Sequence, residues 1–187
     1  TDCIFSDNSA SSIDSGDGGA ISSTSNCTGR FTGCTFSGNH ANKNAGAIKF
    51  ANAQGPRLVD CRIFGNSALR QGGAILVLDQ NGVGFPLFTD CHISGNSAGW
   101  ELGGGGIYIN GTNSPTLNGT TVCGNSAGGT VGIDTQINGT AYSSDSAGEC
   151  VEADCCICGG PYVPGDLDCD GDGLTNDEES NQNTDPD

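Results

Sequence analysis

The chain contains no methionine, a single tryptophan and only six basic residues among its 187. Hydrophobic residues make up 34% of it, thin for a globule built around one large core of Leu and Phe, so apolar surface must be buried some other way. Long apolar runs are missing too. The longest, such as Ala74 to Leu78, falls far short of the roughly 20 residues a helix needs to span a bilayer, and no membrane insertion is expected. Six cations against 22 carboxylates give a formal charge of −16, which excludes a nucleic-acid or anionic-membrane binder acting through simple electrostatics. No charged start with an apolar stretch is present, so any secretion signal is expected to lie outside this sequence.

Glycine and cysteine are plentiful instead, at 32 and 11 residues. So many cysteines are unusual in a reducing cytosol. Together with glycosylation sequons at Asn26, Asn110, Asn118 and Asn138 they point to an extracellular or cell-surface setting. The odd count leaves at least one thiol unpaired or pairing between molecules.

An internal repeat sets the architecture. Aligned on one asparagine, the chain reads Cys3 to Asn8, Cys34 to Asn39, Cys61 to Asn66, Cys91 to Asn96 and Thr120 to Asn125, with the asparagines 31, 27, 30 and 29 residues apart. Each is followed by a polar loop of variable length and a glycine-led strand: Gly18-Gly19-Ala20-Ile21, Ala45-Gly46-Ala47-Ile48, Gly72-Gly73-Ala74-Ile75, Gly105-Gly106-Ile107 and Val131-Gly132-Ile133. Confinement of the length variation to one loop would put that loop outside a periodic core. Residues five and three positions before each asparagine share a face by strand alternation, and a third apolar column, Phe31, Leu58, Phe88 and Leu117, precedes them. No helical period runs over a useful length. Two or three short segments per repeat, rich in β-branched residues, Gly, Asn and Ser, predict an all-β solenoid: a right-handed parallel β-helix of about five coils over residues 1–147. At ~4.8 Å per coil the rod is about 24 Å long. The asparagine column reads as an amide ladder at a turn, with a structural role.

The pairing of Phe5-x-x-Asn8 and Phe36-x-x-Asn39 with Gly-Gly-Ala-Ile resembles the repeat of the chlamydial polymorphic outer membrane proteins and related bacterial surface proteins. The resemblance covers roughly residues 1 to 140 and implies a right-handed parallel β-helix in a mostly adhesive or structural surface protein. It departs from the pattern at Asn44-Ala45-Gly46-Ala47 and in the fifth coil, where Thr120 stands in the cysteine column.

Cys3, Cys34, Cys61 and Cys91 occupy one inward column. Parallel side chains on neighbouring coils hold Cβ atoms near ~4.8 Å, somewhat too far for an unstrained bond, so buried free thiols and axial disulfides are both open readings. Cys150, Cys155, Cys156, Cys158 and Cys169 fall in residues 148–187, a small irregular segment without strand periodicity that needs staples. Disulfides are expected there, with Cys123 or Cys27 as the sixth partner; the competitor, a thiolate zinc site at Cys155 and Cys158, lacks a second such pair.

Residues 168–179 match the Ca²⁺ loop D-x-[DN]-x-[DN]-G-x₅-E throughout. Hard Ca²⁺ needs six to eight oxygens, and carboxylates at alternate positions fold around one ion while Gly173 permits the sharp turn. Asp168, Asp170 and Asp172 would supply carboxylate oxygens, Leu174 a main-chain carbonyl, Asn176 a direct or water-mediated contact and Glu179 a bidentate carboxylate. Thr175 with Glu178 forms a capping-box pattern, so a short helix is expected to begin there. The run from Asp170 to Asn176, with Glu178-Glu179 and Thr184 to Asp187 behind it, is also similar to bacterial thrombospondin type 3-like repeats. Such repeats usually come in series, which implies a further unit opening at Asp185.

Parallel β-helices also carry polysaccharide hydrolases and lyases, whose chemistry uses clustered carboxylates and, in the lyases, Ca²⁺ with a basic residue. Asp2, Asp60 and Asp90 share one repeat position, but Asp before the strand commonly fixes a turn, and the six cations read as scattered. His40 and His92 hold different repeat positions and read as surface residues rather than a metal pair. Trp100 beside Glu101 could stack on a sugar or a protein, or pack across the coil mouth. The expectation is a non-catalytic extracellular structural or adhesive protein with bound Ca²⁺. Its expected partners are other copies of the chain, stacked end to end into a filament, with a host surface or glycan as a further contact; an acidic-polysaccharide lyase or hydrolase is the alternative.

Overall fold

The computed structural model describes residues 1–24, 27–52, 55–79, 86–111, 115–139, 143–144 and 150–152. The first coil comprises β1 (Ile4–Ser6), β2 (Ser9–Ala10), β3 (Ile21–Thr24) and β4 (Arg30–Thr32). The second has β5 (Thr35–Ser37), β6 (His40–Ala41), β7 (Ile48–Ala51) and β8 (Arg57–Val59). The third has β9 (Arg62–Phe64), β10 (Ser67–Ala68), β11 (Ile75–Asp79) and β12 (Leu87–Thr89), and the fourth has β13 (His92–Ser94), β14 (Ser97–Ala98), β15 (Ile107–Gly111) and β16 (Thr116–Asn118). A modified fifth coil holds β17 (Thr121–Cys123), β18 (Ser126–Ala127), β19 (Thr130–Val131), the one-turn helix α1 (Ile133–Gln136), β20 (Ile137–Gly139) and β21 (Ser143–Ser144), after which β22 (Cys150–Glu152) opens another rung.

Each regular coil therefore has four strands, not two or three. The two-residue strands after each asparagine are too short to show alternation in the sequence. Equivalent strands stack in parallel into four walls: sheet A (β1, β5, β9, β13, β17, β22), sheet B (β2, β6, β10, β14, β18), sheet C (β3, β7, β11, β15, β20) and sheet D (β4, β8, β12, β16, β21). Length varies in two connections rather than one, between sheets B and C (residues 11–20, 42–47, 69–74 and 99–106) and between sheets C and D (residues 25–29, 52–56, 80–86 and 112–115).

In-register stacking makes each sequence column a physical column. Phe5, Phe36, Ile63, Ile93, Val122 and Val151 lie over one another in sheet A, and Phe31, Leu58, Phe88 and Leu117 do so in sheet D. Phe5 and Phe36 stack with ring centroids 4.6 Å apart. Sheet C contributes Ile48, Ile75 and Ile107 to the same core. The narrow interior also explains a glycine column. A Cβ on Gly46 would lie 2.1 Å from the Gly73 carbonyl oxygen, one on Gly73 2.2 Å from that of Gly105, and one on Gly105 2.3 Å from that of Ser126. The backbone of the adjoining coil fills the space a side chain would need.

The fifth coil departs from the sequence expectation. Val131-Gly132-Ile133 does not supply the fifth strand of sheet C; that strand is Ile137–Gly139, in register with Ile107 to Ile109. Thr130 and Val131 instead turn back as an antiparallel strand on β18, covering the edge of sheet B. The segment from 153 to 187, with its expected calcium loop and most of its cysteine cluster, lies outside the described residues.

Candidate functional site

The calcium-loop residues Asp168, Asp170, Asp172, Leu174, Asn176 and Glu179 all lie outside the described residues. Among the described residues no group of three or more His, Cys, Asp or Glu side chains is placed to hold a metal ion.

The most continuous polar feature is the asparagine ladder inside the solenoid. Side-chain amides donate along the axis from Asn8 to Asn39 (2.8 Å), Asn39 to Asn66 (2.8 Å), Asn66 to Asn96 (2.9 Å) and Asn96 to Asn125 (2.9 Å). Each receiving oxygen also accepts the donor asparagine's own backbone N–H, at 2.9–3.0 Å. The amide's second proton goes to main-chain oxygens, those of Phe5, Phe36, Ile63 and Ile93 in the preceding coil among them. A fully buried amide is tolerated here because both of its polar atoms are satisfied.

A sixth rung was not legible in the repeat. Gln136, eleven residues after Asn125, places Oε1 2.9 Å from Asn125 Nδ2 and 2.8 Å from its backbone N. No spacing signal marks it, because α1 brings it there along a different path.

The column of Asp2, Asp60 and Asp90 stands at the corner between sheets D and A, with Asp60 and Asp90 on adjacent coils. All three have left-handed backbone, with φ of 51°, 50° and 49°. Gly33 and Gly119 take the same corner at φ of 63° and 54°. Backbone N–H groups of Asp2, Gly33, Asp60 and Asp90 donate to Thr32, Val59, Thr89 and Asn118. Asp is therefore present as a residue that tolerates this conformation, and glycine serves the corner equally.

The cations are less scattered than the sequence suggests. Arg30 and Arg57 are register partners on the exposed outer face of sheet D. Lys49 pairs with Asp17 at 2.7 Å. Burial pushes the Asp17 carboxyl up, but hydrogen bonds from Lys49 and Asn44, with the charges of Lys49 and Lys43, bring it below its ordinary value.

The two histidines differ. His40, half-buried, contacts Ser67 Oγ at 2.8 Å and Asn42 Oδ1 at 3.0 Å. His92 corrects the surface assignment: it is buried, and burial together with the Arg62 charge brings its imidazole down to about 4. Trp100 is half exposed, with the Arg70 guanidinium 5.5 Å from its ring centroid and exposed Leu69 and Leu102 nearby in the chain.

Cys3, Cys34, Cys61 and Cys91 are free thiols; the last three are buried, and Cys3, on the first coil, is exposed. Cys34, Cys61 and Cys91 each donate to the carbonyl two residues earlier, at 3.3–3.4 Å. Thr120 makes the same bond to Asn118 at 3.2 Å, which explains how threonine replaces cysteine in the column. The interaction of the two thiols on adjacent coils lowers Cys61 to about 7 and, with burial, raises Cys91. Cys27 is free, correcting its candidacy as a disulfide partner, whereas Cys123 is half of a disulfide.

Stacked parallel strands with a repeating corner and an internal amide ladder define a β-solenoid. Residues 1–147 match the model of the right handed beta helix region, and the chain belongs to that family. Residues 168–186 match the bacterial TSP3 repeat. No curated protein and no solved structure matches the chain. The right-handed β-helix occurs in enzymes and in non-enzymes alike, so membership fixes the fold and leaves the activity open. Both modules are typical of extracellular or surface proteins, and TSP3 repeats are generally of calcium-binding type. No helix of the described residues is long and apolar enough to cross a membrane.

Proposed function

We propose that the chain is a non-catalytic extracellular surface protein, in which the solenoid is a rigid structural or adhesive rod and the C-terminal segment binds Ca²⁺. The observation that carries this reading is the corner column. The repeated carboxylates best placed for acid-base chemistry, Asp60 and Asp90, hold positive-φ positions that Gly33 and Gly119 occupy on other coils, so their selection is accounted for by backbone geometry. The ligand set of the C-terminal site would be Asp168, Asp170, Asp172, Leu174, Asn176 and Glu179, hard oxygen donors suited to Ca²⁺ rather than to a softer metal.

End-to-end association of copies is part of the same reading. Parallel walls of in-register strands offer backbone groups along the axis with which a second copy could pair, and at the end of sheet B that place is taken by β19. Such a contact is heterologous and grows open assemblies when its rotation does not close.

Calorimetric titration of the full chain with Ca²⁺ tests the metal site. Binding that is lost in Glu179→Gln and Asp172→Asn is expected; no heat in the unsubstituted chain would overturn it. Electron microscopy with and without a chelator tests assembly, and only monodisperse particles in both samples would eliminate the filament. Release of reducing ends or unsaturated products from an acidic polysaccharide, abolished by Asp60→Asn or Asp90→Asn, would replace the whole reading with an enzymatic one.

A further inference from the structure

Sheet B carries a row of hydroxyls along its outer face. Ser67, Ser97 and Ser126 are register partners, with Ala68, Ala98 and Ala127 buried beside them, and Ser9 holds the same position on the first coil. The second coil breaks the row with His40, which lies in register with Ser9 on one side and Ser67 on the other. Its ring contacts Ser67, with Nδ1 2.8 Å from Ser67 Oγ. Nε2 is 3.0 Å from Oδ1 of Asn42, two residues along the same coil. Ser67, His40 and Asn42 are all half-buried, so this chain of contacts is reachable by a small molecule yet sheltered from full hydration.

The third residue sets the tautomer. Asn42 Nδ2 donates to the Ser11 carbonyl at 2.6 Å, which leaves Oδ1 toward the imidazole. An amide oxygen only accepts, so Nε2 holds the ring proton. Neutral His40 then meets the Ser67 hydroxyl with the Nδ1 lone pair, and the hydroxyl is the donor. A nucleophile, a base within hydrogen-bond reach and a group that orients the base are the three parts an activated serine needs. The surroundings limit what this serine can do. The main-chain N–H groups of Asn66, Ser67 and Leu69 are spent on Asn96 Oδ1 at 2.9 Å and on the carbonyls of Asn39 at 2.9 Å and Ala41 at 3.0 Å. They are not free to hold a developing oxyanion, the device that makes acyl transfer fast and repeatable. Base activation without them suits a stoichiometric reaction with an already activated acyl donor.

We propose that Ser67 is an acyl-acceptor site, esterified once per chain by a donor with a good leaving group such as an aryl ester or thioester, with His40 as general base and Asn42 as the residue that positions it. Ser67 Oγ attacks the acyl carbon, and its proton passes to His40 Nδ1. The bond from the acyl carbon to the leaving oxygen or sulfur breaks, the leaving group departs with that proton, and His40 returns to its neutral form. The acyl group then stands on the side of the rod at the third coil. This modification is independent of Ca²⁺ binding and of end-to-end association.

Incubation of the full chain with p-nitrophenyl acetate, followed by peptide mass spectrometry, tests this. Hydroxylamine releases esters and spares the amides formed at Lys43 and Lys49, so serine adducts are read separately. Ser67 is expected to gain its acetyl ester about 100-fold faster than Ser97 or Ser126, whose register partners include no histidine. His40→Gln should remove that advantage. Asn42→Asp, which keeps the acceptor for Nε2, should retain most of it, whereas Asn42→Leu should not. Equal rates at Ser67 and Ser97 in the unsubstituted chain overturn the site without recourse to any variant. An undiminished rate in His40→Gln overturns the base, and equal effects from the two Asn42 variants overturn the positioning role.

Discussion

Gln136 ends the asparagine ladder by folding its amide back on the rung beneath. Oε1 accepts both donors of Asn125, while Nε2 donates to the Asn125 carbonyl at 3.0 Å and to the Gly132 carbonyl at 2.9 Å. Thr135 Oγ1 donates to the same Asn125 carbonyl at 2.8 Å. A stack of identical amides always leaves one end with orphan donors, and α1 supplies the acceptor. Gln136→Leu leaves two buried N–H donors unpaired and should cost about 2–4 kcal/mol. Gln136→Glu keeps the acceptor but buries a carboxylate whose second oxygen faces the carbonyls of Asn125 and Gly132, so its cost should be at least as large at neutral pH and should shrink as the carboxyl is protonated. Urea denaturation midpoints at constant m-value check the order.

Within the ladder, Asn96→Ala should be worse. Its oxygen serves Asn66 twice, and its amide serves Asn125 as well as the main chain at Ile63 and Ser94. A loss of about 3 kcal/mol or more is expected, and a change below about 1 kcal/mol would show that water replaces the amide.

Gly73 and Gly132 make a paired test of close approach. The Cβ of Gly73→Ala would sit 2.2 Å from the Gly105 oxygen and 2.5 Å from the Ser97 carbonyl carbon, both backbone atoms that cannot swing aside. Destabilisation of about 3 kcal/mol or more is expected. Gly132→Ala meets nothing within 4 Å and should stay within about 1 kcal/mol. Similar thermal shifts for the two would refute the packing argument.

Ala45 is the exception in a column of left-handed residues, with φ of 60° where Gly18, Gly72 and Gly104 have 71°, 64° and 58°. Alanine in this region costs roughly 1–2 kcal/mol, partly offset by its buried methyl. Ala45→Gly should therefore raise stability by about 1 kcal/mol, visible as a higher Tm.

His92 gives the fold a pH dependence of known sign. Its pKa falls from 6.5 to about 4 on folding, because burial and the neighbouring Arg62 charge disfavour the imidazolium. The unfolded chain thus takes up a proton first. The stabilisation is complete above pH 6.5, declines as pH falls from there, and is lost once pH passes about 4, by at most on the order of 3 kcal/mol. His92→Gln should flatten the stability profile across this window. Asp17 acts lower, its depressed pKa giving stability above the ordinary carboxylate range that is lost as pH falls through the folded value. Denaturation measured from pH 7 down to about 2 separates the two.

Much of this architecture was legible because a solenoid writes itself into the sequence as columns. The asparagines, the Phe5 and Phe31 columns and the glycine-led strands recur at nearly constant spacing, and in-register parallel pairing turns each recurrence into a contact. The four-walled coil was not legible, since strands such as Ser67–Ala68 are too short to alternate. The fifth coil misled for a related reason. Val131-Gly132-Ile133 imitates the strand motif by composition, but α1 shifts the true strand to Ile137, where the inward isoleucine aligns with Ile107.

By itself the sequence determined the repeat, the parallel stacking, the identity of the inward columns and the calcium-loop pattern, because each depends on residue type at fixed intervals. Only the tertiary structure decided what lies at the same height from different intervals. It placed Gln136 under Asn125 and Lys49 against Asp17, and it buried His92 on the outer side of its strand, outcomes that depend on where the chain returns in space and carry no periodic signal.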